Sequence, residues 1–160
     1  MSEENFGENL KFYADRHPDP AQRTALNVQY SFGREGKETL NLEIAQIYTV
    51  GAPPEWKSKI TLQLTSNELI AFCCTLLGVR PEMKGAYHGA NRNKGIATYD
   101  NGSKGLLISL SEQGRMLNHA LQPDQRLDLL AFSIRRLSEK WKMSVVDSIA
   151  LLRQARLIEH

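Results

Sequence analysis

The sequence predicts an α+β fold: two strand-rich antiparallel halves, each closed by a helix, with a helical tail at the C-terminal end. Three observations carry this. Apolar and polar residues alternate over Ala25–Phe32, Thr39–Ile44 and Lys57–Leu64, the period-two signature of strands with one wet face. A capped helix follows at Thr65–Leu77. The order of strands then helix recurs over Met83–Trp141, with turn signals instead of crossover helices between the strands, which favours antiparallel pairing. The halves share this architecture and no residue-level identity.

A length of 160 residues fits one domain, 1–160, large enough to bury its own core. Residues 1–10 are polar and expected to be disordered, 11–78 make the first strand-helix half, 79–141 the second, and 144–156 a C-terminal helix. Lys11–Arg16 is a short strand candidate. Ala25–Phe32 is the first clear strand, with Leu26, Val28, Tyr30 and Phe32 on one side and Asn27, Gln29 and Ser31 on the other. Gly33–Glu38 is a turn. Thr39–Tyr48 resumes the alternation through Leu40, Leu42 and Ile44, and its phase slip at Ile47 predicts a bulge near Ala45. Gly51–Pro54 breaks the pattern, and Lys57–Leu64 is the next strand, with Ile60, Leu62 and Leu64 inward. Thr65 and Glu68 have the spacing of a capping box. The helix carries an apolar stripe of Leu69, Phe72, Cys73, Leu76 and Leu77 and stops at Gly78.

In the second half, Met83–His88, Gly95–Asp100 and Gly105–Ser111 are strands. Asn101-Gly102 signals a hairpin, because both positions accept positive φ. Arg115–Leu121 reads as strand or connector. Gln122-Pro123-Asp124 opens a helix to Trp141, with an expected apolar face of Leu127, Leu130, Ala131, Ile134 and Leu137, and with Arg135, Arg136 and Lys140 on a solvated outer face. Ser144 caps a last helix, Val145 to Ala155.

The net charge of +2 is small, but its distribution is uneven. Met1–Thr24 holds three basic and five acidic residues, whereas Gly51–Lys104 holds seven basic and four acidic, so attraction to phosphate would act in the middle of the chain. The only cysteines, Cys73 and Cys74, are helix neighbours about 100° apart, poorly placed to share a metal, and are expected to be buried apolar side chains. MSEENFGENL is acidic and has no apolar core, so no signal peptide is expected. No apolar run approaches a membrane span, and a cytoplasmic protein is the expectation. His17, His88, His119 and His160 are scattered, and neither a nucleophile elbow, a Walker phosphate loop nor a dinucleotide fingerprint occurs, so neither catalysis nor a cofactor is expected.

The segment MKGAYHGANRNKGIATYDNGSKGLLISL, Met83–Leu110, combines five glycines with Lys84, Arg92, Lys94, Lys104, Tyr87 and Tyr99 against one acid, Asp100. A basic, aromatic-bearing sheet suits single-stranded nucleic acid: cations meet the phosphates and flat rings take unpaired bases, at roughly 1–3 kcal/mol per stacked base. Lys84, Tyr87, Arg92, Lys94, Tyr99 and Lys104 are therefore the leading contact set, with Trp56, Lys57 and Lys59 as a second group. Tyr30, Arg34 and Lys37 form a weaker group, diluted by Glu35 and Glu38. The competing reading is that the tyrosines are half-buried sheet residues and the lysines keep an exposed sheet in solution.

The plan resembles the Whirly and positive-cofactor-four group of single-stranded DNA-binding proteins, best over Lys57–Trp141. KITLQLTSNELIAFCCTLLG is similar to the group's third-strand-to-helix passage, the Met83–Leu110 segment to its second meander, and DQRLDLLAFSIRRLSEKW to its closing helix. The Lys-Gly-Lys-Ala-Ala strand motif of the plant members is missing; the nearest basic turn, Arg34-Glu35-Gly36-Lys37, lacks the small apolar pair. A prokaryotic or phage member of the wider group fits better. The resemblance implies a homodimer, or a higher homo-oligomer, packed through its helices, with single-stranded DNA, or RNA, over the exposed sheet faces or between them and a role in transcription or other DNA transactions. The alternative is a protein-interaction or assembly module on the same fold, with Ile149, Leu151, Leu152 and Leu157 as part of a partner surface.

Overall fold

The computed structural model describes residues 7–155. Among these, eight strands form two four-stranded antiparallel sheets, accompanied by three α-helices. The first sheet runs in the order β1 (Asn9–Tyr13), β2 (Thr24–Phe32), β3 (Glu38–Gln46), β4 (Ile60–Gln63), and leads into α1 (Ser66–Leu77). The second runs β5 (Glu82–His88), β6 (Lys94–Asp100), β7 (Leu106–Glu112), β8 (Arg115–Leu121), followed by α2 (Pro123–Trp141) and α3 (Val145–Arg153).

Alternation fixes which face each sheet buries. In the first, Leu26 opposes Ile44, Val28 opposes Leu42 and Tyr30 opposes Leu40, all buried. In the second, Ile96 opposes Leu110 and Thr98 opposes Ile108, with Leu117 and Leu121 beside them. Leu69, Phe72, Cys73 and Leu76 of α1 and Leu129, Phe132 and Leu137 of α2 join both sets in one apolar cluster. Burial pushes the Cys73 thiol pKa up, so it stays a neutral apolar group.

Helix α1 is held at both ends. At its start Thr65 accepts from the Glu68 amide (3.2 Å) while the Glu68 carboxylate accepts from the Thr65 amide (2.9 Å), completing the capping box. At its end Gly78 takes a left-handed φ of 84°. Arg126 of α2 then donates to the last carbonyls, Thr75 (3.0 Å) and Leu76 (3.0 Å), as well as to Gly105 O (3.0 Å) and the Asp100 carboxylate (2.6 Å). The same guanidinium holds the Asp100 carboxyl below the usual carboxylate range.

Several expectations are corrected. The first strand is Asn9–Tyr13, so residues 9 and 10 are ordered in a sheet; the expectation for residues 1–6 lies outside the described residues. No bulge occurs at Ala45: β2 and β3 keep one register from Thr24 to Phe32, and β3 ends at Gln46, before the phase slip. Trp56–Ser58 is a 3-10 turn, which leaves the strand at Ile60–Gln63. Asn101 has a φ of −100°, so the β6–β7 link is a 3-10 turn over Gly102–Lys104 instead of a two-residue hairpin loop. Arg115–Leu121 is a full strand, and the last helix spans Val145–Arg153, with Ser144 accepting from the Asp147 amide.

The buried face of α2 is rotated from the expected one. Ile134 and Leu137 are buried as expected, but Leu127 is 65% exposed, and Leu129, Phe132, Ser133 and Arg136 are buried instead. Arg136 is inside because every donor group has work: its Nε donates to Thr39 O (3.1 Å), its terminal nitrogens to Ser31 O and Glu139, and its plane lies over Tyr30 and Phe32 (4.9 and 4.8 Å). Arg135 donates to the Tyr30 hydroxyl (2.8 Å) and pairs with Glu8. These two arginines fasten α2 to the first sheet and are not a free basic face.

His119 on β8 is buried beside Thr24, whose hydroxyl donates to Asn118 O (2.8 Å) and lies 2.9 Å from His119 Nδ1. With its proton so committed, the hydroxyl oxygen accepts from Nδ1–H, and the ring is neutral. Burial lowers the His119 pKa from 6.5 to about 4. The unfolded chain therefore binds a proton that the fold does not between those values, so stability falls as pH drops from 6.5 toward 4, by up to about 3 kcal/mol. Urea unfolding at a series of pH values is expected to show this slope, and His119→Asn, which still donates to Thr24, is expected to flatten it.

Candidate nucleic-acid interface

The outward face of the second sheet is a shallow concavity with a floor of small side chains. Register sets its cross-strand rows: Lys84, Ala97, Ser109 and Asn118 in one, Glu82, Tyr99, Leu107 and Ala120 on one flank, and Gly95, Ser111 and Met116 on the other. Glycine at 95 keeps the floor low, since a Cβ there would lie 3.1 Å from both Gly85 O and Ser111 Oγ. The depression has a volume of about 450 Å3, with Lys84, Tyr99 and Met116 on its walls and Ala86 at one edge. A floor without bulk and a ring at the side can admit a flat heterocycle.

A second, larger groove of about 780 Å3 lies where the β5–β6 hairpin stands over the edge of the first sheet. Its walls are the β2–β3 turn with Arg34 and Lys37, β4 and the start of α1, and the hairpin with Ala86, Tyr87, His88, Arg92 and Lys94. Ala86 borders both concavities. Tyr87 is 72% exposed and has a φ of 64°; Arg92, at φ 54°, carries its guanidinium 5.7 Å from the Tyr87 ring centre. Left-handed backbone at non-glycine residues is costly and persists where surrounding structure imposes it.

That structure is a carboxylate latch. The β5–β6 register shifts between Gly85 and His88, which turns His88 toward α1, where its Nε2 lies 2.8 Å from Glu68 Oε2. Glu68 thus caps α1 with one oxygen and holds the hairpin with the other. Gly85 makes room for it: a Cβ there would sit 1.9 Å from Glu68 Oε2. Sequence reasoning found the capping role of Glu68 from its spacing to Thr65 but had no signal for its pairing with His88, twenty residues on.

The structure divides the residues singled out in the sequence. Lys84 and Tyr99 share the outer face of the second sheet; Lys84 lies 3.5 Å from Glu82, an exposed pair of little energetic weight. Tyr87 and Arg92 share the groove. Lys94 lines the groove but is engaged, donating to Thr61 O (3.0 Å) and lying 3.9 Å from Glu112; it satisfies a main-chain acceptor on the free edge of β4. Lys104 is exposed in the β6–β7 turn, at the far end of β6 from Lys94, about 20 Å away along the strand. On the first sheet, Lys59 pairs with Glu43 (2.8 Å), Lys57 is exposed, and Trp56 is half-buried with the Lys11 ammonium 5.5 Å from its ring. Among the described residues, Arg34, Lys37 and Arg92 have no carboxylate partner. No group of His, Cys, Asp and Glu able to hold a metal occurs among the described residues, and no helix there is long and apolar enough to cross a membrane.

Gly85→Ala is expected to cost about 1–2 kcal/mol of stability, because the new methyl must expel the Glu68 carboxylate from its cap. Glu68→Ala alone is expected to cost about 1 kcal/mol, and the double variant clearly less than the sum, since only one carboxylate is there to lose. Urea denaturation of the four proteins measures the coupling.

No protein-family model and no curated protein sequence matches the chain. A solved structure of Trypanosoma brucei MRP1/MRP2 is similar to it, with a TM-score of 0.54 over 82% of this chain and 83% of that one, at 11% identity. At that identity the likeness is one of fold.

Proposed function

We propose that this chain binds single-stranded nucleic acid with little sequence preference, single-stranded DNA in the first place, as a Whirly-like protein acting as a homodimer or larger homo-oligomer in cytoplasmic transcription or other DNA transactions. The observation that carries the reading is the outer face of the second sheet. There a concavity floored by Gly95, Ala97, Ser109 and Ser111 is flanked by Tyr99 and Lys84, and the exposed Tyr87 with Arg92 stands beyond Ala86. Bases stack on the tyrosines and the cations meet phosphates. A duplex, whose bases are already stacked, gains nothing from the rings. The chemistry of stacking does not separate DNA from RNA.

A second reading has its own observation. Val146 and Leu151 of α3 and Met143 just before it are exposed, as is Leu127 near the start of α2, and exposed apolar side chains on helices suit a protein partner. Leu152 is buried and Ile149 half-buried, so they belong to the core side of α3; Leu157 lies outside the described residues.

Fluorescence anisotropy with a labelled single strand of about 30 nucleotides, the matching duplex and the RNA version decides between them. The first reading expects preference for the single strand, weaker affinity as salt rises, and a loss of roughly 10- to 100-fold for Tyr99→Ala with the fold intact. Absence of binding at low salt by folded protein would leave the apolar helical surface as the functional one.

A further inference from the structure

We infer that the groove between the sheets is a phosphate track, carrying the backbone of the bound strand from the second sheet across to the first with Arg34 and Lys37 as its far contacts. The inference rests on the single-strand reading above and extends it to residues outside the leading set. Four features carry it. The groove adjoins the outer face of the second sheet, since Ala86 borders both concavities, so a strand leaving Tyr99 and Lys84 reaches it past Ala86.

Its charge is the second feature. Arg34 and Lys37 on one wall and Arg92 on the other have no carboxylate partner among the described residues. Of the two acids that line the groove among the described residues, Glu68 is already committed to Thr65 and His88, which leaves Glu35. Unpaired cations facing one another across a concave surface concentrate a positive potential in it.

The floor is the third. Leu64 N–H donates to Leu40 O, so β4 turns the main-chain groups of alternate residues, Gln63 and Thr61, away from β3 and into the groove. Thr61 O already accepts from Lys94, whereas the Thr61 and Gln63 amides are donors of the kind that phosphate oxygens accept. Finally, the hairpin wall is fixed before any ligand arrives, because the Glu68–His88 contact sets the hairpin and hence the spacing of Arg92 from the Arg34–Lys37 turn. The sequence places these walls more than fifty residues apart; the topology brings them together.

The test compares wild type, the double variant Arg34→Ala/Lys37→Ala and Tyr99→Ala on oligothymidines of about 6 and about 20 nucleotides, lengths that bracket single-module footprints. Arg34 and Lys37 lie in an exposed turn, so the double variant is expected to fold. It is expected to bind the long strand about 10-fold more weakly near 0.1 M salt, with a salt slope lower by about 1.4, and to bind the short strand as wild type does. Tyr99→Ala is expected to weaken both. Unchanged affinity of the double variant for the long strand, or an equal loss at both lengths, overturns the track. Should wild type bind neither strand, the single-strand reading itself fails, and titration calorimetry with sodium tripolyphosphate judges the groove alone: heat present in wild type and lost in the double variant keeps it as a polyanion site, while equal heats, or none, overturn it.

Discussion

Helix α1 joins the two halves because charged groups pin both of its ends to the second sheet. At the N-terminus the Glu68 carboxylate completes the capping box and reaches His88 on β5. At the C-terminus Arg126 spans the Thr75 and Leu76 carbonyls, Gly105 O and Asp100. Hydrogen bonds to charged groups contribute roughly 1.5–3 kcal/mol each, about twice an ordinary one. The apolar cluster shared by the sheets and helices supplies most of the stability, but it is non-directional. The two charged clamps give it a direction: they decide where along β5 and β6 the helix sits, and so how far the β5–β6 hairpin projects over β4.

That projection creates the candidate site. Two open four-stranded sheets expose edges, and an exposed edge must be covered, charged or paired. Here Lys94 donates to Thr61 O and Arg115 to Ser58 O, so cations from the second sheet satisfy acceptors along the β4 side of the first. The hairpin that delivers Lys94 also carries Tyr87 and Arg92 outward in left-handed backbone. Edge protection and the exposed ring are consequences of one placement.

Much of this was legible in the sequence, and what was not has a common cause. The capping box at Thr65 and Glu68, the Ser144 cap and the strand alternations are local signals, and each is realised in the structure. Ile134 and Leu137 of α2 are buried as their spacing predicts, but Leu127, Leu130 and Ala131 fit helical spacing beside them as well as Leu129, Phe132 and Ser133 do; what selects the second set is Arg136, whose donors are met by carbonyls of β2 and β3 roughly a hundred residues away. Lys94 looked like a free cation for the same reason: its acceptor, Thr61 O, is 33 residues distant. The pairing of Glu68 with His88, the clamp of Arg126 and the convergence of Arg34 and Lys37 with Arg92 are long-range facts that no periodicity announces.

The proposed function puts a single strand on the outer face of the second sheet and into the groove beside it. Backbone amide mapping by heteronuclear NMR during titration with an oligothymidine of about 20 nucleotides tests it most directly. Shifts are expected to cluster at Lys84–Gly89, Gly95–Tyr99, Ser109–Ser111 and Gly33–Lys37. Shifts confined to the α2 and α3 surface around Leu127, Val146 and Leu151, with the second sheet unmoved, would contradict it.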